Sequence, residues 1–120
     1  MKVLIIDDDA DIRFVAAMSL RAGGAIDVVE ASGGLDGVCK AREEQPDVIL
    51  LDMMMPTMDG SQTIAALRMQ TETATTPVIF LTAKSSVGEI QGMKELGAAG
   101  VLIKPFDPRT LAADVLALLT

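Results

Sequence analysis

The sequence predicts an α/β domain built on a five-stranded parallel sheet flanked by five helices. Short apolar runs alternate with helical patterns five times along the chain. Such alternation is typical of parallel strands that are joined by right-handed helical crossovers. The runs are also rich in Val, Ile and Leu without alternating polar residues, as expected for strands that are covered on both faces.

The strands and helices are predicted in alternation from the start of the chain. The second apolar run, 26–30, is the most polar, so we place it near an edge of the sheet, and Pro77 introduces the fourth run. The stretch TETATT at 71–76 is predicted to be a loop. The predicted strands are 2–6, 26–30, 47–51, 78–82 and 101–103, and the predicted helices are 10–22, 33–44, 60–70, 86–96 and 107–119.

Local signals predict how the helices begin and which side they bury. Asp9 and Asp11 fit the cap or first turn of the first helix, because carboxylates there satisfy free backbone N–H groups and the helix dipole. Asp59–Gly60 fits a turn and cap that begins the third helix. Apolar spacing predicts two buried stripes. They are Ile12, Val15, Ala16, Ser19 and Leu20 in the first helix, and Leu111, Val115 and Leu118, widened by Leu116 and Leu119, in the last.

Composition excludes several classes of function. The 120 residues suit a single domain, 1–120, and half of them are hydrophobic, which is ample for a core. The net charge of −7 argues against direct binding to nucleic acid or to an anionic membrane. No run is long enough for a membrane span, and we find no signal-peptide pattern. Cys39 is the single cysteine, so no internal disulfide can form, and we expect a cytoplasmic setting.

The sequence contains no histidine. This absence excludes Ser-His-Asp triads, Cys-His pairs and His-ligated zinc, and the chain cannot itself carry phosphohistidine. An aspartate is therefore the best candidate for a nucleophile, since carboxylates can form aspartyl-phosphate intermediates.

Polar residues end four of the five predicted strands: Asp7 and Asp8, Asp52, Thr82 and Lys104. Because the carboxyl ends of parallel strands meet at one edge of the sheet, these side chains should converge, and ligands bind open α/β sheets at that edge. Three carboxylates form a hard-oxygen site suited to Mg²⁺. A lysine and a hydroxyl beside them would bind an anion such as a transferring phosphoryl group.

Four motifs carry a resemblance to the receiver domain of two-component response regulators, the CheY-like superfamily: IIDDD, VILLDMMMPTMDG, VIFLTA and VLIKPF. The order and spacing of the motifs match the family over essentially the whole chain. The resemblance implies a flavodoxin-like sheet with strand order 2-1-3-4-5. It also implies that the chain accepts a phosphoryl group from a histidine kinase or histidine phosphotransfer protein, and switches conformation to control a partner or output domain.

The same resemblance implies a role for each matching position. Asp52 would be the phosphoacceptor, and Mg²⁺, or Mn²⁺ in its place, would bind Asp8 directly, Asp7 through water, Asp52, and the backbone carbonyl of Met54. Thr82 and Lys104 would contact the phosphoryl group. The Lys104–Pro105 peptide bond is expected to be cis, as in the family.

One position departs from the family pattern. Val101 stands where the family usually carries the Tyr or Phe that moves inward when the Thr hydroxyl contacts the phosphoryl group. Because Val is β-branched and stiff at χ1, we expect a switch dominated by Thr82 and the segment 83–91. That segment is rich in small and polar residues: Ala83, Ser85, Ser86 and Gly88.

Two surfaces are candidates for partner binding. Phe14 and Met18 lie on a different face of the first helix from the predicted stripe, where the family usually has polar residues, and either an incidental exposed pair or a docking patch explains them. In the family, kinases and phosphotransfer domains pack against this helix, and we include Pro105 in the predicted docking surface. The family's output or dimer face suggests an output contact on the 86–119 face, by recruitment of another protein or domain.

Two other functions are weighed against this interpretation. A haloacid-dehalogenase-like phosphatase also uses an aspartate nucleophile with Mg²⁺, but the stretch DDDAD at 7–11 lacks the final Thr or Val of its motif, and the chain leaves little room for a cap domain. A phosphorylation-independent scaffold is the other alternative. Val101 is its only support, since the acidic, Thr and Lys positions are all filled.

Overall fold

The computed structural model describes residues 1–24, 26–84 and 86–120, and its elements follow the predicted alternation. The strands are β1 (Lys2–Ile6), β2 (Asp27–Ala31), β3 (Val48–Asp52), β4 (Val78–Thr82) and β5 (Gly100–Ile103). The helices are α1 (Ala10–Ala22), α2 (Gly34–Glu44), α3 (Gly60–Met69), α4 (Val87–Glu95) and α5 (Leu111–Leu118). No helix among the described residues is long and apolar enough to cross a membrane.

The five strands form one parallel sheet in the order β2-β1-β3-β4-β5, which confirms the predicted fold class. The polar strand β2 lies at an edge, also as predicted. The register places Ile6 beside Leu51, Asp52 beside Leu81, and Thr82 beside Ile103. The residues at the carboxyl ends of β1, β3, β4 and β5 therefore lie side by side along the C-terminal edge of the sheet, the edge at which the parallel strands end.

Two hydrophobic layers cover the sheet, one on each face. Successive residues of a strand point to opposite faces, so each strand contributes to both layers, and this explains the unbroken apolar runs of the sequence. One layer packs α1 and α5 on the sheet, with Val3, Ile5, Leu20, Leu50, Ile79, Leu81, Leu111 and Val115. The other packs α2, α3 and part of α4, with Leu4, Ile6, Ile49, Leu51, Ile64, Leu67, Phe80 and Met93.

Several element boundaries differ from the sequence predictions, most of them by one residue. Strands β2 and β3 each begin and end one residue later than predicted. Helix α5 begins at Leu111 rather than at 107, because Asp107 organises a separate turn. Its carboxylate accepts the N–H of Arg109 at 2.9 Å, and its carbonyl accepts the N–H of Thr110 at 3.1 Å. The predicted loop 71–76 contains a short 3₁₀ helix, Thr71–Thr73, whose buried Thr73 hydroxyl donates to the carbonyl of Leu67 at 2.6 Å.

The buried stripes are narrower than predicted. In α1, Ala17 is buried, whereas Val15 is 38% exposed, so Val15 was wrongly assigned to the core. The small side chains of Ala16 and Ala17 let α1 pack closely on the sheet with both of these residues facing it, and this rotation of the helix turns Val15 outward. In α5, Leu116 is also exposed and does not widen the stripe.

The predicted starts of α1 and α3 are confirmed. The side chain of Asp9 accepts the N–H groups of Asp11 and Ile12 at 2.9 and 3.3 Å, and Asp11 lies in the first turn of α1. The side chain of Asp59 accepts the N–H of Gln62 at 2.9 Å, while the Gln62 side chain accepts the N–H of Asp59 at 3.0 Å. This reciprocal capping box fixes the start of α3 directly after the loop that follows β3.

Candidate functional site

Three carboxylates converge at the carboxyl edge of the sheet. One oxygen from each of Asp7, Asp8 and Asp52 lies within 4.8 Å of the others. Asp7 and Asp52 are buried at the ends of the central strands β1 and β3, and Asp8 is exposed at the mouth of the pocket. Sequence reasoning predicted this convergence from the strand assignments, and the structure brings the three residues together.

Lys104 links two of these carboxylates. Its Nζ donates to Oδ2 of Asp7 at 2.9 Å and lies 3.3 Å from Oδ1 of Asp52. The Lys104 backbone N–H also donates to the carbonyl of Thr82 at 2.8 Å, which ties the end of β5 to the end of β4. The Lys104–Pro105 peptide bond is cis, as expected. The ammonium group therefore offsets part of the repulsion between Asp7 and Asp52.

Burial and neighbouring charge disfavour the ionised form of Asp52. Burial of the carboxyl group, and next the negative charge of Asp7, raise the pKa of Asp52 from 3.8 to about 6. The charge of Lys104 and the N–H of Met54, which donates to Oδ1 of Asp52 at 3.2 Å, oppose this rise. Burial lowers the pKa of Lys104, but its hydrogen bond to Asp7 and the charges of Asp7 and Asp52 outweigh burial and leave that pKa raised.

Such a site favours a divalent cation. When burial and a neighbouring negative charge make the ionised form of a carboxylate unfavourable, a bound cation stabilises that form strongly. The donors are all hard oxygen atoms, which suit Mg²⁺ rather than a softer metal. The residues present therefore fit the magnesium ion that was expected from the sequence. Met54 is two residues past Asp52 and 60% exposed, and the role of its carbonyl stays a prediction.

The switch residues Thr82 and Val101 lie on neighbouring strands. Thr82 is buried at the end of β4, one position beyond the residue paired with Asp52. Its hydroxyl accepts the N–H of Lys84 at 3.0 Å. Val101 pairs with Phe80 and is partly buried against the layer of α2 and α3. Their switching roles stay predictions, and Ser85, which belongs to the predicted switch segment, lies outside the described residues.

The predicted docking pair is exposed on α1. Phe14 is 64% and Met18 is 55% exposed. Together with Pro108 and Arg109 they line a groove of about 530 Å³ between α1 and the turn that precedes α5. Pro105 is also exposed, but it is not among the residues that line the groove.

Sequence reasoning assigned no role to Arg13, whose Nη1 donates to the backbone carbonyl of Asp7 at 2.6 Å. The contact depends on the rotation of α1, which apolar spacing did not predict correctly. The only signal in the sequence was an arginine soon after the acidic block, and that alone does not identify its partner.

Comparison with known proteins identifies the family of the chain. A family model described as the response regulator receiver domain matches residues 3–116. The DNA-binding dual master transcriptional regulator RpaA of Synechocystis sp. is 41% identical over 119 residues, which are 98% of this chain and 48% of that protein. Protein PilH of Pseudomonas aeruginosa is 36% identical over 118 residues, which are 98% of this chain and 97% of PilH.

The fold has close structural counterparts as well. The chemotaxis protein CheY4 of Vibrio cholerae superposes with a TM-score of 0.90 at 37% identity, covering 98% of this chain and 97% of that one. The chain spans about half the length of several transcriptional regulators that it matches, such as RpaA at 48% and ResD of Bacillus subtilis at 48%. The family match excludes the phosphatase alternative. The chain belongs to the receiver domain family of two-component response regulators.

Proposed function

We propose that this chain, residues 1–120 as one receiver domain, accepts a phosphoryl group on Asp52 and thereby changes its affinity for a partner. The observation that carries the proposal is the convergence of Asp7, Asp8 and Asp52 within 4.8 Å, with Lys104 beside them. A phosphoacceptor needs an anionic oxygen, and a fixed cation must neutralise the charge of the incoming group. This pocket provides both.

The transfer is a substitution at phosphorus. An oxygen of Asp52 attacks the phosphorus atom, an acyl-phosphate bond forms, and the bond from phosphorus to the donor, a histidine nitrogen in a kinase or phosphotransfer protein, breaks. Mg²⁺, or Mn²⁺ in its place, bound through Asp7, Asp8, Asp52 and the carbonyl of Met54, would supply positive charge next to the transferring group.

Lys104 and Thr82 complete the pocket. Lys104 is positioned to move its contact from the Asp52 oxygen to a phosphoryl oxygen, because its second contact, to Asp7, keeps it in the pocket. The Thr82 hydroxyl can donate to a phosphoryl oxygen, since it acts only as an acceptor in its contact with Lys84.

The conformational response runs through Thr82 and α4 rather than through a ring at Val101. Lys84, whose backbone N–H donates to the Thr82 hydroxyl, also places its Nζ 3.7 Å from Oε2 of Glu89. The backbone N–H of Glu89 in turn donates to the hydroxyl of Ser86, the N-cap residue of α4. A change at Thr82 therefore reaches α4 through adjacent contacts. A Cβ added at Gly88 or Gly92, both within α4, would meet nothing within 4 Å, so no other element packs closely on α4 at these two positions.

Partner contacts are proposed for two surfaces. The phosphodonor docks on Phe14 and Met18 of α1 and on the exposed Pro105, which directly follows the pocket residue Lys104. The output partner binds the 86–119 face. Receiver domains interact with histidine kinases and output domains, and the relatives include a DNA-binding regulator and a chemotaxis protein, so the identity of this output partner is a separate question. The charge of −7 argues against direct contact with nucleic acid or membrane, and we propose a cytoplasmic setting.

The direct test is phosphorylation by a small donor. Purified protein is incubated with Mg²⁺ and acetyl phosphate, and its intact mass is measured. We expect the wild type to gain the mass of one phosphoryl group, Asp52→Asn to gain none, and the surface control Asp27→Asn to behave as the wild type. Absence of an adduct on the wild type at saturating donor, or an undiminished adduct on Asp52→Asn, would overturn the proposal.

A further inference from the structure

The guanidinium of Arg13 bridges the acidic pocket and the edge strand β2. Its Nη1 donates to the backbone carbonyl of Asp7 at 2.6 Å, and its Nε lies 3.6 Å from Oε1 of Glu30. The Arg13 side chain is only 18% exposed, so this arginine is held between two elements rather than extended into solvent. Two contacts from one planar group fix its orientation, which a lysine could not reproduce.

The carbonyl that Arg13 binds belongs to the peptide unit joining Asp7 to Asp8. The other polar groups of Asp7 have their own partners: its N–H donates to the carbonyl of Ala31 at 3.2 Å, and its carboxylate accepts from the Asp9 N–H and from Lys104, each at 2.9 Å. Arg13 is therefore the side chain that sets the plane of the peptide leading into Asp8.

Asp8 has no comparable support of its own. Its side chain is exposed, and its carboxylate makes no hydrogen bond or ion pair with any residue in 1–24, 26–84 or 86–120. The direction of that carboxylate consequently depends on the backbone to which it is attached. A rotation of the Asp7–Asp8 peptide would carry the Asp8 carboxylate away from those of Asp7 and Asp52.

We propose that Arg13 is a positioning residue for cation binding. It fixes the Asp7–Asp8 peptide so that Asp8 meets the other two carboxylates, and Glu30 on β2 holds the guanidinium in place. The inference rests on the proposed function, because it requires that the three carboxylates bind a divalent cation.

A purely electrostatic role for Arg13 predicts the opposite effect. A positive charge near a cation site repels the cation, so its removal would strengthen Mg²⁺ binding if charge alone mattered. Loss of a positioning contact weakens binding, and removal of such outer contacts typically reduces metal affinity by about 10- to 100-fold. The sign of the change therefore separates the two roles.

The experiment is calorimetric titration of the unphosphorylated protein with Mg²⁺ alone at fixed ionic strength. We expect Arg13→Met and Arg13→Lys both to bind Mg²⁺ about tenfold more weakly than the wild type. Glu30→Gln should weaken binding by about two- to threefold, the size expected for losing a partly exposed ion pair. Arg21 is the matched control, because it also connects α1 to β2 but lies about two helical turns further from the pocket. Its Nη2 donates to the carbonyl of Val28 on β2 at 3.5 Å. Arg21→Met should bind Mg²⁺ as the wild type does.

Urea unfolding in EDTA shows whether each variant folds. If Arg13→Met does not fold, Arg13→Lys and Glu30→Gln still decide the question. Unchanged or tighter Mg²⁺ binding in the folded Arg13 variants overturns the positioning role and leaves the proposed function standing. An equal loss of affinity in Arg21→Met assigns Arg13 a merely structural role, which also overturns it. A wild type that binds no Mg²⁺ overturns the proposed function together with this inference.

Discussion

The two flanks of the pocket differ in how firmly their backbone is held. On the acidic flank, formed by the β1–α1 junction and the β3–α3 loop, the backbone and carboxylate of Asp7 make contacts with four other residues, and α3 buries Gly60, Thr63, Ile64 and Leu67. On the α4 flank, formed by 83–84 and 86–99, Met93 is the only residue of Val87–Glu95 that is buried.

The α4 flank is also loosely packed against the acidic flank. An open groove of about 290 Å³ lies between Met53 of the β3–α3 loop and Gly92, Met93 and Leu96 of the α4 flank. Elements with few buried contacts open at low free-energy cost, whereas preorganised groups serve catalysis because they need not rearrange. From this difference we infer that the acidic flank keeps the phosphoryl site in a fixed geometry, and that the α4 flank changes conformation when Asp52 is phosphorylated.

The largest expected effect is on the acidic flank, in Gly60→Ala. A Cβ at this position would lie 2.8 Å from the Cα of Met53 and 2.9 Å from the carbonyl oxygen of Asp52, and these backbone atoms cannot move without displacing the pocket. We expect a loss of about 3 kcal/mol in the free energy of unfolding, measured by urea denaturation, with slower phosphorylation by a small donor. A variant as stable as the wild type would show that the β3–α3 loop is not rigid.

The next effect concerns the cost of ionising Asp52. The pKa of Asp52 is 3.8 when it is unperturbed and about 6 in the folded protein, so the folded state keeps a proton that the unfolded state has already lost. Folding stability should therefore fall as the pH rises from about 4 to 6, and the penalty remains in full above that window.

Asp52→Asn removes this penalty because the amide stays neutral. Without Mg²⁺, we expect this variant to be more stable than the wild type by about 1–3 kcal/mol at pH 8. The difference should shrink below pH 4, and Mg²⁺ should stabilise the wild type more than the variant. Thermal or urea unfolding at several pH values, with EDTA or Mg²⁺, measures all three quantities. A variant less stable than the wild type at pH 8 would contradict the conclusion that ionised Asp52 destabilises the folded protein.

A smaller effect tests which flank meets the phosphodonor. Phe14→Ala removes a side chain that is 64% exposed on α1, and we expect transfer from the cognate kinase or phosphotransfer protein to slow by about tenfold, the size of a moderate interface hot spot. Phosphorylation by acetyl phosphate should be unchanged. Val87→Ala, at a position 86% exposed on the α4 flank, is the control and should leave both rates unchanged. Equal loss of both rates in Phe14→Ala would remove the docking role.

The sequence predicted the residues of the pocket better than it predicted the rotation of α1. Parallel strands share one polarity, so the strand ends alone placed Asp7, Asp52, Thr82 and Lys104 at a common edge. The rotation of α1 was not predictable in the same way. Three consecutive apolar residues, Val15, Ala16 and Ala17, allow two buried faces, and only packing against the sheet selects the face with the alanines. The contact between Arg13 and Asp7 depends on that rotation and was missed with it.

The smallest expected effect lies on the α4 flank, in Gly92→Ala. Gly92 is inside α4, and a Cβ there would meet nothing within 4 Å, so only helix propensity should change. Replacing a helical glycine with alanine stabilises the helix by about 0.5–1 kcal/mol. We expect slower amide hydrogen exchange in α4 and an unchanged rate of phosphorylation by acetyl phosphate. If the flexibility of α4 carries the response, the same variant should also show a smaller change in α4 exchange when Asp52 is phosphorylated. If α4 exchanges more slowly in the variant but its exchange still changes as much as in the wild type when Asp52 is phosphorylated, another element carries the conformational change. The two flanks would then differ in local stability and not in their role in the response.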